Sequence, residues 1–208
     1  MYRRIGKRLL DLVLSLMAIV ALAVPMLVIA VLIKCDSKGP ILFKQKRVGL
    51  HKTHFNILKF RTMRSDTPHD VPTHLLTSPE AYITPVGNVL RKTSLDELPQ
   101  LFNILLGHMS IVGPRPALWN QFDLIESRDA CGANDIRPGL TGWAQINGRD
   151  ALGIVAKVEK DSEYVQKMSF LFDCKCVFGT VTAVLKRRGV VEGGTGQTEN
   201  ERETVSQK

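Results

Sequence analysis

The sequence is short of aromatic residues, of acid and of paired cysteine, and each shortage argues against a class of protein. Phe, Trp and Tyr make up 6% of the chain, too few for the stacking platforms that nucleic-acid binders set beside their cations, and no reading motif accompanies the basic residues, so no nucleic-acid partner is expected. Only 20 Asp and Glu stand against 28 Lys and Arg, a net charge of +8 with a pI near 9.5; the composition points to an anionic partner such as a phosphorylated ligand or an anionic membrane. The four cysteines, Cys35, Cys131, Cys174 and Cys176, form no C-x-x-C pair, which suggests neither a disulfide framework nor a structural zinc site and makes a reducing, cytosolic setting the expectation. No second long apolar run follows Lys34, so a polytopic architecture cannot be built. What is present, 208 residues with 44% hydrophobic content, suffices for one packed domain.

The one long apolar run, Leu12 to Ile33, holds 22 residues with no charge and a single hydroxyl, Ser15. As a straight helix it would extend about 33 Å, enough for a hydrocarbon core of about 30 Å. Pro25 interrupts it, removing a backbone hydrogen bond and pressing on the preceding turn at a cost of about 3 kcal/mol. Both flanks are basic: Arg3, Arg4, Lys7 and Arg8 before it, and Lys34, Lys38, Lys44, Lys46 and Arg47 after it. Cations at both ends place both ends on the cytoplasmic side, so the expected geometry is a re-entrant helix that dips into one leaflet, bends near Val24-Pro25 and returns. The competing geometry is a spanning anchor with a tolerated proline.

The expected organisation is therefore a membrane helix-break-helix over residues 1–38, a cytosolic catalytic domain of α/β (α+β) type over 39–190, and a disordered polar tail over 191–208. Within the domain, Ile41 to Val48 and Thr53 to Phe60 read as a hairpin of basic strands around a turn at Gly49–Lys52, and Ser65 to Pro79 reads as a surface loop. Helical apolar spacing covers Val86 to Lys92 and Glu97 to Leu106, Trp119 to Ser127 reads as a further amphipathic helix and Ala156 to Met168 as a polar helix, and Phe170 to Leu185 reads as an amphipathic helix on the body or the membrane surface.

The stretch Arg91-Lys92-Thr93-Ser94-Leu95-Asp96-Glu97-Leu98-Pro99-Gln100-Leu101 carries the most chemistry. One reading is a capping box, with Ser94 and Glu97 closing on each other's backbone. The other follows from Pro99, which cannot bond the Leu95 carbonyl, so that the regular helix starts later and Asp96 and Glu97 stand at its mouth. Adjacent carboxylates facing a phosphate repel it unless a divalent cation intervenes, and magnesium takes one or two carboxylates plus phosphate oxygens; the pair predicts magnesium-dependent phosphoryl chemistry. Arg115, mounted between Pro114 and Pro116, suits bidentate phosphate recognition, and Lys59-Phe60-Arg61 and Asn147-Gly148-Arg149 add further cations.

Taken together these blocks resemble the bacterial sugar transferase family, the monotopic phosphoglycosyl transferases. The resemblance runs through Lys7-Arg8-Leu9-Leu10-Asp11-Leu12, Pro40 to Gly49, Lys59-Phe60-Arg61-Thr62-Met63, Thr93 to Gln100, Val112-Gly113-Pro114-Arg115-Pro116 and Pro138 to Arg149. It implies an enzyme of the bacterial inner membrane, facing the cytoplasm, that moves a phosphosugar from a UDP-sugar to polyprenyl (undecaprenyl) phosphate and releases UMP. That is the first membrane step of exopolysaccharide, capsule, O-antigen or glycoprotein glycan synthesis, and it would hand its product to downstream glycosyltransferases. The resemblance makes Asp96 the nucleophile of a covalent aspartyl-phosphosugar intermediate and Glu97 its catalytic partner, holding magnesium with it or assisting proton movement. It makes Arg115 a nucleotide-binding arginine, Lys59, Arg61 and Arg91 anion-binding cations, and Arg149, Asp161 and Tyr164 substrate-facing. Three positions depart from the family pattern: Val24 stands where Ser usually precedes the proline, Ile154-Val155 where a Trp-Glu pair is frequent, and His108 where an acid is common. A catalytically silent membrane-tethered UDP-sugar-binding or scaffold protein is the alternative in a different class, and it predicts binding without UMP release.

Overall fold

The structure, a computed structural model, describes residues 2–67, 79–148 and 152–185. Arg149, the tail over 191–208 and most of the expected loop between Ser65 and Pro79 lie outside the described residues. The chain is a mixture of helices and two small sheets, compatible with the expected α/β class.

Two helices open it, α1 over Lys7–Ala21 and α2 over Ala23–Asp36, bent by 61° where they meet. The residue out of helical geometry is Leu22, at φ −99° and ψ 6°, rather than the Val24-Pro25 pair expected from the sequence. The displacement follows from where a proline acts: its ring presses on the carbonyl four residues back, that of Ala21, and cannot donate to it. The helical bonds on either side survive, Leu22 N–H to the Ala18 carbonyl at 2.9 Å and Met26 N–H to the Leu22 carbonyl at 2.8 Å. No single described helix is long and apolar enough to cross a membrane, but the bent pair has the length and composition together.

Helix α1 buries polar residues against the protein and α2 buries apolar ones, and both leave large apolar residues outside. On α1 the buried residues are Asp11 and Ser15, whereas Leu9, Val13, Leu16, Met17 and Val20 are exposed. Asp11 accepts from Ser110 Oγ at 3.0 Å and from the Ile111 N–H at 2.9 Å. Arg8 donates to the carbonyls of Ile104 and Leu105 at 2.7 and 3.1 Å, and Lys7 pairs with Asp173 at 2.6 Å. Helix α2 packs Met26, Ile29 and Ile33 on Phe60 and Leu90 and leaves Val24, Leu27, Val28, Val31 and Leu32 outside. An outward apolar face of this extent is more than a monomeric soluble protein ordinarily exposes.

The expected hairpin is present: β1 over Leu42–Val48 pairs antiparallel with β2 over His54–Phe60, Leu42 facing Phe60 and Val48 facing His54. Phe55 and Ile57 seal it against Leu101, Ile104 and Met109. Next come α3 over Pro85–Thr93, capped by Thr84 Oγ accepting from the Gly87 N–H at 3.0 Å, and α4 over Gln100–Leu105. A second sheet, with no counterpart in the sequence reading, pairs β3 over Ser110–Val112 in parallel with β4 over Gly139–Thr141. Its backbones approach so closely that a Cβ on Gly139 would lie 2.1 Å from the Gly113 nitrogen and one on Gly142 2.1 Å from the Gly113 oxygen; only glycine permits that crossing. The remaining helices are α5 over Phe122–Asp129, α6 over Trp143–Ile146, α7 over Ile154–Lys167 and α8 over Phe170–Leu185. Helix α5 starts three residues later than expected from the sequence, and both Trp119 and Phe122 face outward, 47% and 67% exposed.

Candidate active site

Two cations and two carboxylates meet where α3 gives way to α4. Helix α3 ends at Ser94, which turns left-handed at φ 58°, and a 3-10 turn over Leu95–Glu97 leads toward α4. Ser94 makes no side-chain cap; the Glu97 N–H goes to the Ser94 backbone carbonyl at 3.2 Å, so the capping-box reading gives way to the later helix start. Pro99 is the reason. Having no N–H, it leaves the Leu95 carbonyl to Leu98, which takes it at 3.3 Å in the tighter i to i−3 pattern. The turn holds Asp96 and Glu97 side by side, 9% and 8% exposed.

Glu97 is the charge hub. Its Oε1 accepts from Lys59 Nζ at 2.8 Å and from Arg115 Nη2 at 2.8 Å. Lys59 comes from β2, opposite Phe43, and Arg115 from the proline-bracketed loop after β3. Lys59 Nζ also lies 3.7 Å from Asp96 Oδ2. Burial works against ionisation of Glu97, but the Arg115 and Lys59 charges and their hydrogen bonds hold its carboxyl well below the usual range. Asp96 goes the other way: burial raises it, the neighbouring Glu97 charge adds to that, and Lys59, Arg115 and Arg91 only partly offset them. Glu97 is thus held as an anion by two cations, while Asp96 is desolvated and accepts no hydrogen bond among the described residues. As pH falls, Asp96 protonates before an ordinary aspartate and Glu97 after an ordinary glutamate.

The other residues singled out in the sequence have different surroundings. Arg91, half-buried at the end of α3, contributes charge to Asp96 without a hydrogen bond. Arg61 is 6% exposed and fully committed to the end of α2: its Nη1 donates to the Lys38 carbonyl at 2.9 Å and its Nη2 to those of Ser37 at 2.7 Å and Ile33 at 3.3 Å. Arg61 thus caps the returning helix, where a positive charge also complements the dipole. Asp161 and Tyr164 are each 1% exposed. Asp161 Oδ2 accepts from Arg128 Nε at 2.9 Å and Nη2 at 2.6 Å, and Arg128 Nη1 donates to the Arg115 carbonyl at 3.0 Å. Arg128 is the residue that sequence reasoning passed over; its one signal was an aspartate on the buried side of a helix, which demands a partner somewhere. His108, in the place of an acid, stacks on Phe55 with ring centroids 5.6 Å apart. Ile154 begins α7 and Val155 is 73% exposed.

Among the described residues no group of three or more His, Cys, Asp or Glu could hold a metal ion. Asp96 and Glu97 are hard oxygen donors of the kind that suits magnesium when phosphate oxygens complete its shell.

A family model described as bacterial sugar transferase matches residues 2–187. The chain belongs to the bacterial sugar transferase family. Its similarity to other sugar transferases extends along most of its length. It is 40% identical to the "Uncharacterized sugar transferase EpsL" of Bacillus subtilis, covering 88% of this chain and 89% of that one. It is 39% identical to the exopolysaccharide production protein ExoY of Sinorhizobium fredii, over 89% and 88%. It is also 42% identical to the UDP-glucose:undecaprenyl-phosphate glucose-1-phosphate transferase of Escherichia coli, over 86% of this chain but 40% of that longer protein. The bacterial sugar transferases of this type are sugar phosphotransferases, and the chain is an enzyme of that class.

Proposed function

We propose that this enzyme transfers a sugar phosphate from a UDP-sugar to polyprenyl phosphate in two displacements at one phosphorus. The observation that carries the reading is the pairing of a locked anion, Glu97, tied to Lys59 and Arg115, with a poorly solvated Asp96 beside it. In the first displacement an Asp96 oxygen bonds to the sugar-bearing phosphorus of the donor, the bond to the bridging oxygen breaks, and UMP leaves with that oxygen. In the second, an oxygen of polyprenyl phosphate attacks the same phosphorus, Asp96 leaves as a carboxylate, and polyprenyl-diphosphate-sugar is formed. Splitting the exchange this way predicts ping-pong kinetics. Arg115 and Lys59 already face the carboxylates, and an entering diphosphate would draw on the same guanidinium and ammonium groups. Magnesium on Asp96 and Glu97 would supply the positive charge that lets two carboxylates accept a diphosphate beside them.

The bent α1–α2 pair, apolar outward and basic at both ends, supports a dip into the cytoplasmic leaflet of the bacterial inner membrane that leaves the body on the cytoplasmic face, where both substrates can reach Asp96. Single cysteines introduced near Tyr2 and near Lys52 in a cysteine-free background should both resist an impermeant thiol reagent added outside and react when it is added inside. External labelling at Tyr2 alone would mean a spanning helix.

Because the E. coli and Xanthomonas campestris relatives are named for UDP-glucose, UDP-glucose is the first donor to test. Purified protein with UDP-glucose, undecaprenyl phosphate and magnesium should release UMP, and chelation should abolish the release. Activity that survives chelation would remove the metal from the reading. Binding of several UDP-sugars with no UMP from any of them would favour the silent scaffold.

A further inference from the structure

Helix α7 reaches the active site without touching Asp96 or Glu97. Asp161 and Tyr164, three residues apart and both 1% exposed, lie on the same face of α7. They act on carbonyls that are likewise three residues apart, at the two ends of the segment Val112-Gly113-Pro114-Arg115. Asp161 holds Arg128 through Nε and Nη2, at 2.9 and 2.6 Å, and the remaining arm of that guanidinium donates to the Arg115 carbonyl at 3.0 Å. The Tyr164 hydroxyl shares its single proton between the Val112 carbonyl at 3.1 Å and Asp173 Oδ1 at 2.7 Å. Between these points the chain is stiff for other reasons: Gly113 is wedged against Arg137 and Gly139, and Pro114 and Pro116 fix φ on either side of the arginine. Arg115 then extends its side chain to Glu97 Oε1 at 2.8 Å.

Resting on the reading that Arg115 serves a diphosphate donor, we propose that Asp161 and Tyr164 are positioning residues for Arg115, Asp161 through Arg128 and Tyr164 through the Val112 carbonyl, and that neither touches substrate. A buried ion pair is a costly way to hold a fold together, since an apolar pair of the same volume often does as well. What the Arg128–Asp161 pair supplies that an apolar pair cannot is a directed donor to one carbonyl, that of the residue carrying the site's arginine. A guanidinium displaced by about 1 Å from its productive position can cost a reaction about 10²-fold.

The test is a set of epistasis measurements on kcat/KM for the UDP-sugar in full-length protein with magnesium. Arg128→Lys retains a buried pair with Asp161 but lacks the second arm to Arg115; Arg128→Met with Asp161→Leu removes the pair without leaving a lone buried charge. Each should lower kcat/KM by about 10²-fold, and Tyr164→Phe by about 5-fold. In an Arg115→Lys background, where the bidentate fork is already lost, all three should cause less than about a 2-fold further loss. Losses that multiply fully in that background would overturn the proposal and return Asp161 and Tyr164 to direct contact with substrate. Undiminished activity of the folded Arg128→Lys protein would overturn it as well. A wild-type protein that releases no UMP defeats the functional reading itself, an outcome distinct from an active wild type with multiplicative losses.

Discussion

Replacing Asp96 with Asn should lower UMP release by at least about 10³-fold while membrane extraction and thermal unfolding stay close to wild type. Asparagine keeps the shape but has no anionic oxygen to form the bond to phosphorus. Asp96 also makes only one ion contact, at 3.7 Å from Lys59, and accepts no hydrogen bond among the described residues, so little structure depends on its charge. Neutralising it even removes a buried repulsion with Glu97, and the variant should be at least as resistant to heat as the wild type. The decisive readout is a burst: wild type given UDP-sugar without lipid acceptor should release about one UMP per active site, and Asp96→Asn none. Turnover near the wild-type rate would exclude Asp96 as nucleophile.

Glu97→Gln should fail for a different reason, and with a different signature. A single oxygen of Glu97 receives both Lys59 and Arg115, whose side chains are only 18% and 30% exposed. An amide cannot offset two cations, and breaking such a buried pair costs about 3 kcal/mol or more. Lys59 is then free to close on Asp96 and blunt it. We expect kcat/KM to fall about 10²-fold together with a lowered unfolding temperature. Adding Lys59→Met should recover much of the unfolding temperature, because it removes one of the orphaned cations, but little of the activity. Recovery of both would mean that Glu97 serves only the fold.

The local elements were legible where the pattern was local. The turn at Gly49–Lys52 between two basic runs marked the hairpin, and Pro99 two residues after Glu97 offered the late start of α4 as one of two readings, because a missing N–H acts within one turn. Pro25 was legible as a break but not in its location, since its effect falls on the Ala21 carbonyl and the bend therefore appears at Leu22. Strands β3 and β4 escaped notice: at three residues each, bounded by Gly113 and Gly142, they have no periodicity to read, and their pairing rests on close backbone approach between segments far apart in sequence, Ser110 facing Gly139. The candidate site divides in the same way. Asp96, Glu97, Lys59 and Arg115 were named in advance and stand together. Arg61 looked like a loose cation because the carbonyls it caps belong to another element, and Arg128 attracted no attention because Asp161 lies 33 positions away.

The hold of Arg8 on the Ile104 and Leu105 carbonyls has a practical side. Those carbonyls end the short helix that begins three residues after Glu97, so the first turn of the bent α1–α2 pair is also the terminal clasp of the segment that carries the two carboxylates. A modular anchor can be cut away or exchanged for another tether and leave a working soluble enzyme behind. Here, excision would strip α4 of its clasp, β3 of the Asp11 carboxylate and Asp173 of its lysine in one cut. The amino-terminal segment is better regarded as an internal strut that happens to be greasy on its outer side.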